Sequence, residues 1–197
     1  STHYITLRVT HILGESASEV GLAEDMTTTV LEQQRIEHER DYDTLTGLYR
    51  RRAFDRACEA LFQQPEKLGC AALLMMDLDN LKQINDTYGH SVGDTVLKEV
   101  SAILHSVFSD SGTIGRVGGD EFAAIIEKPL SEHDMRQKLD YFLKKISDIH
   151  TDTKVSCSIG ACCFTCSIDI DTLMAQTDEV LYEAKERGRA CYVIREL

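Results

Sequence analysis

Two adjacent glycines run straight into two adjacent carboxylates in Arg116-Val117-Gly118-Gly119-Asp120-Glu121-Phe122, and the apolar run Phe122-Ala123-Ala124-Ile125-Ile126 follows at once. Glycine tolerates the positive φ of a tight hairpin turn and lets a ligand approach the backbone. Carboxylates on such a turn are hard oxygen donors, suited to a divalent cation and the phosphate it carries. A plain surface turn would also read Gly-Gly-Asp-Glu, so the chemistry depends on what surrounds it. A second acidic pair, Asp77 and Asp79, follows the continuous apolar run 70–76, which reads as a buried strand. If the hairpin pairs beside that strand, the two acidic pairs converge at one sheet edge. Convergent carboxylates there suit phosphoryl or nucleotidyl transfer, with Mg2+ bridging phosphate oxygens. Strand alternation puts Asp77 and Asp79 on one face only if the strand continues through both; otherwise one of them is a ligand.

Further polar groups lie between these clusters, in Lys82, Asn85, Asp86, His90 and Asp94. Asn85 offers both a donor and an acceptor, and Asp94 can accept two donors from one planar edge, which suits the N1–H and N2–H2 face of guanine. Both residue types also cap helices well, and that reading competes with base recognition. Lys185 and Arg189, four apart around Gly188, could hold terminal phosphates; taken alone they read more simply as charges complementing a helix dipole.

The elements that must position these groups follow from hydrophobic periodicity. Residues 3–12 alternate like a strand, and a ten-residue strand cannot stand alone, so it reads as the last strand of a preceding domain or packs on something else. Residues 16–41 contain no proline and carry a thin apolar stripe of Leu22, Met26, Val30 and Ile36, which predicts a helix. That stripe is too narrow for a packed globular helix and suits an exposed connector or a dimerising coiled coil. Thereafter helices are expected at 50–64, 80–87, 93–107, 131–149 and 172–187, with Ser131 as an N-cap. Strands are expected at 70–76, 113–117, 122–127, 155–164 and 191–194. Strands and helices alternate, but a hairpin interrupts them, which favours an α/β sandwich with a mixed, largely antiparallel sheet over a doubly wound parallel one.

Bulk properties narrow the function classes. The chain of 197 residues suits one domain with an appendage, and 43% hydrophobic residues are enough for a core. A net charge of −12 argues against nucleic acid or an acidic membrane as partner, although a nucleotide can bind where a metal supplies positive charge. No apolar run reaches membrane-spanning length, and the start, Ser1-Thr2-His3-Tyr4, lacks a secretory pattern and reads as a point within a longer, cytoplasmic protein. The seven cysteines sit among apolar neighbours; Cys163 and Cys166 have CxxC spacing but no second pair to complete a zinc site, so buried reduced thiols are expected.

The motifs taken together resemble the GGDEF domain of diguanylate cyclases over nearly all of residues 43–194. They come in order: DTLTGLYRRRAF at 43–54, MDLDNLK at 76–82, INDTYGH at 84–90, Gly93-Asp94, RVGGDEF at 116–122, VSCSIG at 155–160 and LYEAKERGR at 181–189. The resemblance implies a palm-like sheet like that of nucleotide cyclases. It also implies one GTP per domain, and two domains meeting face to face to make cyclic di-GMP with release of two pyrophosphates. It further implies that Asp77 and Asp120 bind Mg2+ (or Mn2+) through carboxylates and Leu78 through its carbonyl. By the same resemblance Asn85 and Asp94 read guanine, and Lys82, Lys185 and Arg189 contact phosphates beside the Asn80 and Leu81 amides. Lys82 would also stabilise the leaving pyrophosphate, and Asp120 or Glu121 would help deprotonate the attacking 3′-hydroxyl.

Some positions depart from the family pattern. Asn80 and Leu81 replace residues that are often aromatic, Ala190 replaces a usual asparagine, and 109–112 lacks the arginine of an inhibitory product site. The implied organisation is the end of an upstream domain or a stray strand at 1–15, a signalling linker helix at 16–42 and a cyclase domain at 43–197. The partners implied are GTP, a second copy of the domain and an upstream sensor in cis. The rival is a GGDEF module that holds GTP and regulates a neighbour without catalysis.

Overall fold

The computed structural model describes residues 3–12, 18–64, 71–127, 131–149, 153–165 and 168–197. The chain divides into two compact units, Ser1–Asp41 and Tyr42–Leu197. In the first, strand β1 (Ile5–Ile12) pairs antiparallel with β2 (Ser18–Asp25), Ile5 opposite Asp25 and Ile12 opposite Ser18. Helix α1 (Thr27–Asp41) follows, its first amide accepted by Asp25 Oδ1 at 2.9 Å, and none of its residues is buried.

This corrects the helix expected from residue 16. Residues 18–25 are extended because the β1 edge offers them a complete ladder, a long-range partner that outweighs local propensity. Gly21, in the middle of that stretch, also weakens a helix there. The strand that could not stand alone therefore has its own hairpin partner.

The second unit holds β3 (Tyr49–Arg50), α2 (Arg51–Phe62), β4 (Ala71–Asp79), α3 (Leu81–Tyr88), α4 (His90–Phe108), β5 (Gly112–Arg116), β6 (Glu121–Ile126), α5 (Glu132–Ser147), β7 (Ser156–Phe164), α6 (Ile170–Glu186) and β8 (Tyr192–Glu196). Six strands form one sheet in the order β3-β5-β6-β4-β7-β8. The inner pairs β5–β6, β6–β4 and β4–β7 are antiparallel, and the outer pairs β3–β5 and β7–β8 are parallel. The sheet is thus mixed and mostly antiparallel, as expected. The expected helices also form, with starts moved by a few residues: α4 begins at His90 rather than 93, and α6 at Ile170 rather than 172. Ser131 caps α5 by accepting from the Asp134 amide.

Strand β4 divides the core in two. Ala72, Leu74, Met76 and Leu78 pack with α3, α4 and α5 through Leu81, Leu104, Phe108, Leu139 and Phe142. Ala71 and Leu73, on the opposite face, pack with α2 and α6 through Phe54, Cys58, Leu173 and Val180. The two periods of two therefore place odd-numbered β4 residues on the α6 side. Asp77 and Asp79 are the last two of that odd series.

The thiols fill the core rather than react. Cys58, Cys157 and Cys162 are buried and free, and burial pushes the Cys58 thiol up to about 12. Cys166, and with it the CxxC pair, lies outside the described residues.

Helix α6 lies unusually close to β7. A Cβ on Gly160 would collide with the Leu181 amide and come within 2.8 Å of the Thr177 carbonyl oxygen, both helix backbone. Gly160→Ala must therefore push α6 away, and over-packing of this kind costs about 1–3 kcal/mol. Guanidinium unfolding should register that loss; a change below about 0.5 kcal/mol would mean that the close helix–sheet contact is not a constraint.

Candidate active site

The end of β4 and the β5–β6 turn are joined in register. Asp77 lies opposite Glu121, and the next amide, of Leu78, donates to the Asp120 carbonyl oxygen at 3.0 Å. The return bond from the Asp120 amide to the Leu78 carbonyl is not formed, so that carbonyl has no β6 partner at the end of the ladder. Asp77 and Asp120 are both partly exposed there, at neighbouring strand ends.

The turn closes differently from the sequence expectation. Val117 and Gly118 amides both donate to the Glu121 carbonyl oxygen, at 2.9 and 3.2 Å. Neither Gly118 nor Gly119 has a positive φ. What Gly118 supplies is room, because a Cβ there would collide with the Glu121 carboxylate. A Cβ on Gly119 would meet nothing within 4 Å, so that glycine leaves an open approach to the turn. Two arginines brace the loop. Arg116 donates to the Gly119 carbonyl at 2.6 Å and pairs with Asp43 at 3.1 Å. Arg51 donates to the Val117 carbonyl at 2.9 Å and lies 3.6 Å from the Glu121 carboxylate.

On the α6 side, Lys185 Nζ lies 2.7 Å from Asp77 Oδ2. Asp79 is engaged in another way. Its side chain is 1% exposed, and both oxygens are occupied: Ser158 donates to Oδ1 at 2.7 Å, while Ser156 and the Ala190 amide donate to Oδ2 at 2.8 and 3.1 Å. The strand does continue through both aspartates, and they differ in exposure: Asp77 is partly exposed and Asp79 is buried.

Helix α6 ends in a Schellman arrangement. The Gly188 amide donates to the Lys185 carbonyl and the Arg189 amide to the Ala184 carbonyl, each at 3.3 Å, with Gly188 at φ 109°. Arg189 and Ala190 then follow at φ 63° and 51°, two successive left-handed residues without glycine. Each costs on the order of 1–2 kcal/mol, a strain that the surrounding hydrogen bonds must hold.

The third part of the site is the α3–α4 corner. Asn80 takes a left-handed φ of 61° between β4 and α3, which asparagine tolerates, and Leu81 is buried behind it. This exposes the first amides of α3 near the acidic strand ends, with Lys82 exposed in its first turn. Asn85 lies inside α3 and Asp94 inside α4, so neither caps a helix; Gly89 stands between the two helices instead. The competing capping reading therefore fails. A Cβ on Gly93 would collide with the Asn85 amide, so Gly93, next to Asp94 in the chain, lets α4 close on α3 at Asn85. Asn85 Oδ1 is buried without a hydrogen-bond partner, packed where a Gly93 Cβ would stand.

The donor set fits a small divalent cation. Among the described residues no cluster of three or more His, Cys, Asp or Glu side chains could hold a metal. Two carboxylates and one backbone carbonyl are instead the partial oxygen set that Mg2+ accepts when phosphates and water complete its shell. Sequence reasoning missed the Asp79 network, the Arg51 and Arg116 braces and the Lys185–Asp77 pair, which, apart from the Arg116–Gly119 bond, join residues far apart in the chain.

The sequence profile described as "Diguanylate cyclase, GGDEF domain" matches residues 40–191. The chain is 32% identical over 166 residues to the diguanylate cyclase DgcS of Shewanella oneidensis, covering 82% of this chain and 55% of that protein. It is 31% identical to the diguanylate cyclase VdcA of Vibrio cholerae, covering 81% and 49%. The chain thus spans about half the length of these relatives. Among solved structures, a microbial GGDEF domain described with cyclic di-GMP superposes with a TM-score of 0.72 at 28% identity, over 81% of this chain and 99% of that one. The coiled coil and GGDEF domain of DgcB from Caulobacter crescentus shares the fold with a TM-score of 0.75 at 24% identity, over 86% and 95%.

The Arg116–Asp43 brace gives a pH signature. Partial burial pushes the Asp43 carboxyl up, but hydrogen bonds from Thr46 and the Arg116 guanidinium outweigh it and hold the group below its usual value. A depressed folded value stabilises the fold above the unfolded aspartate pKa and loses that contribution as pH falls through the folded one. Asp43→Asn should cost about 1 kcal/mol at pH 7, with the gap from the native protein closing below about pH 4. Urea unfolding across pH checks this; a gap that persists at pH 2 would contradict it.

Proposed function

The chain belongs to the diguanylate cyclase family defined by the GGDEF domain, and we propose that it condenses two GTP molecules into cyclic di-GMP, releasing two pyrophosphates. The observation that carries this reading is the Leu78–Asp120 hydrogen bond, which holds Asp77 and Asp120 at adjacent strand ends beside a carbonyl that has no β6 partner. The carboxylates of Asp77 and Asp120 and the Leu78 carbonyl hold Mg2+ or Mn2+, which when bound offsets triphosphate charge and polarises the α-phosphorus.

Asn85 and Asp94 read the guanine edge across the α3–α4 corner. The Asn80–Leu81 corner and Lys82 receive phosphate oxygens at the start of α3, and Lys185 and Arg189 receive the terminal phosphates from the end of α6. Each 3′-hydroxyl loses its proton to Asp120 or Glu121 and forms a bond to the α-phosphorus of the other GTP. The bond to the β-phosphate breaks, and Lys82 stabilises the departing pyrophosphate. One domain holds one GTP, so the reaction needs a second copy facing the first. Nucleic acid has no part in it.

The exposed helix α1, with Leu31 and Ile36 turned to solvent, supports its role as a signalling linker between an upstream sensor in cis and a cyclase domain at 43–197. The domain is read as cytoplasmic; no helix among the described residues is long and apolar enough to cross a membrane.

Purified protein with GTP and Mg2+, followed by mass spectrometry, tests the reading. Cyclic di-GMP should appear at a rate that rises more steeply than linearly with protein concentration. GTP bound without product at high protein concentration would mark a silent regulatory module instead. Asp120→Ala should abolish turnover and weaken Mn2+ binding by about tenfold or more, whereas Glu121→Gln should lower kcat and spare Mn2+ affinity. Asp94→Ala should erode discrimination against ATP by about tenfold; unchanged selectivity would remove Asp94 from base recognition.

A further inference from the structure

We propose that Asp79 is a positioning residue: its buried carboxylate ties the Arg189–Ala190 turn to the sheet so that Arg189 meets the terminal phosphates of the nucleotide. The inference rests on the functional reading above, in which Arg189 is a phosphate contact, and assigns Asp79 a role distinct from the cation ligands Asp77 and Asp120.

Three observations converge on this. Asp79 is 3% exposed, and each of its oxygens accepts a hydrogen bond: two serine hydroxyls from β7 hold it in place, and it in turn accepts the Ala190 amide at 3.1 Å. Ala190 is the second of two consecutive left-handed residues, a conformation alanine and arginine leave unless something retains them. The Asp79–Ala190 bond spans 111 positions in the chain and is the side-chain contact that retains this pair. On the far side of the same turn, the Schellman bonds from Gly188 and Arg189 fix it to the last turn of α6.

Arg189 is consequently held at both ends of its backbone, while its side chain stays 58% exposed with Nε 3.9 Å from Asp79 Oδ1. The guanidinium is close enough to be oriented by the buried charge and free enough to swing onto a phosphate. A cation ligand would need an open oxygen. Asp79 has both oxygens committed to donors, whereas Asp77, two residues earlier on the same face, has one oxygen paired with the Lys185 ammonium.

The test is a double-mutant cycle between Asp79→Asn and Arg189→Ala, with folding checked by thermal unfolding. Binding is read with a GTP analogue carrying a carbon bridge between the α- and β-phosphorus, with GMP, and with Mn2+ alone. Each single variant should weaken the triphosphate analogue by about tenfold, and the double variant should be no weaker than either. GMP and Mn2+ affinities should stay within about twofold of the native protein in Asp79→Asn. Multiplying losses, an equal loss for GMP, or a fall in Mn2+ affinity would each overturn the proposal, the last by making Asp79 a cation ligand. Where Asp79→Asn does not fold, Ser158→Ala carries the same cycle, because it loosens the carboxylate while leaving it in place. Native protein that binds neither the analogue nor GTP would overturn the cyclase reading and this inference together, whereas native binding with an uncoupled cycle would overturn this inference alone.

Discussion

The register between β4 and β6 is the constraint on which the site depends. With Asp77 opposite Glu121 and Leu78 bonded to Asp120, two acidic segments more than forty positions apart share one sheet end. Because side chains alternate with period two, a slip of one residue would turn Asp77 and Asp79 toward α4 and send Met76 and Leu78 to the α6 side. Such a slip is resisted along the whole strand, since β4 is buried on both faces and flanked by antiparallel partners on both edges. The placement of the carboxylates is thus a by-product of core packing, and their geometry is as rigid as the sheet.

The basic half of the site depends on a different device. Helix α6 is drawn onto β7 at Gly160, and its C-terminus is closed by Gly188 in the left-handed region. This places Lys185 against Asp77 and turns the chain so that Arg189 emerges next to the acidic strand ends. The turn is strained at Arg189 and Ala190, and the strain is retained by Asp79, a residue of the acidic strand itself. The acidic and basic halves are therefore coupled through β4: Asp77 meets the lysine, and Asp79 holds the backbone that carries the arginine.

Much of this was legible in the sequence, and the reasons differ by element. The strand 71–79 and the helices of the second unit carry strong periodicity with clear punctuation, so their positions follow from local pattern. The pairing of Asp77 with the Gly-Gly-Asp-Glu turn follows once the hairpin is placed next to that strand. The segment 18–25 misleads because its composition suits a helix, and only its pairing with β1, from Ile12 opposite Ser18 to Ile5 opposite Asp25, converts it. The glycines of the turn suggest both a left-handed backbone and room for a ligand; neither has a positive φ, while one clears space for Glu121 and the other leaves the turn open. Asp79 was indistinguishable from Asp77 on the page, because its partners Ser156, Ser158 and Ala190 are fixed by the β4–β7 register and the close of α6. Roles set by long-range register are those a local reading cannot reach.

The central claim is that Asp77, Asp120 and the Leu78 carbonyl form the cation site of a GTP-condensing domain. A crystal structure with the carbon-bridged GTP analogue and Mn2+, with the ion located by its anomalous scattering, tests this most directly. A peak is expected between the Asp77 and Asp120 carboxylates within reach of the Leu78 carbonyl, with Lys185 turned from Asp77 to the phosphates. A nucleotide bound with Lys185 still on Asp77 and the ion elsewhere, or an ion on Asp79, would contradict it.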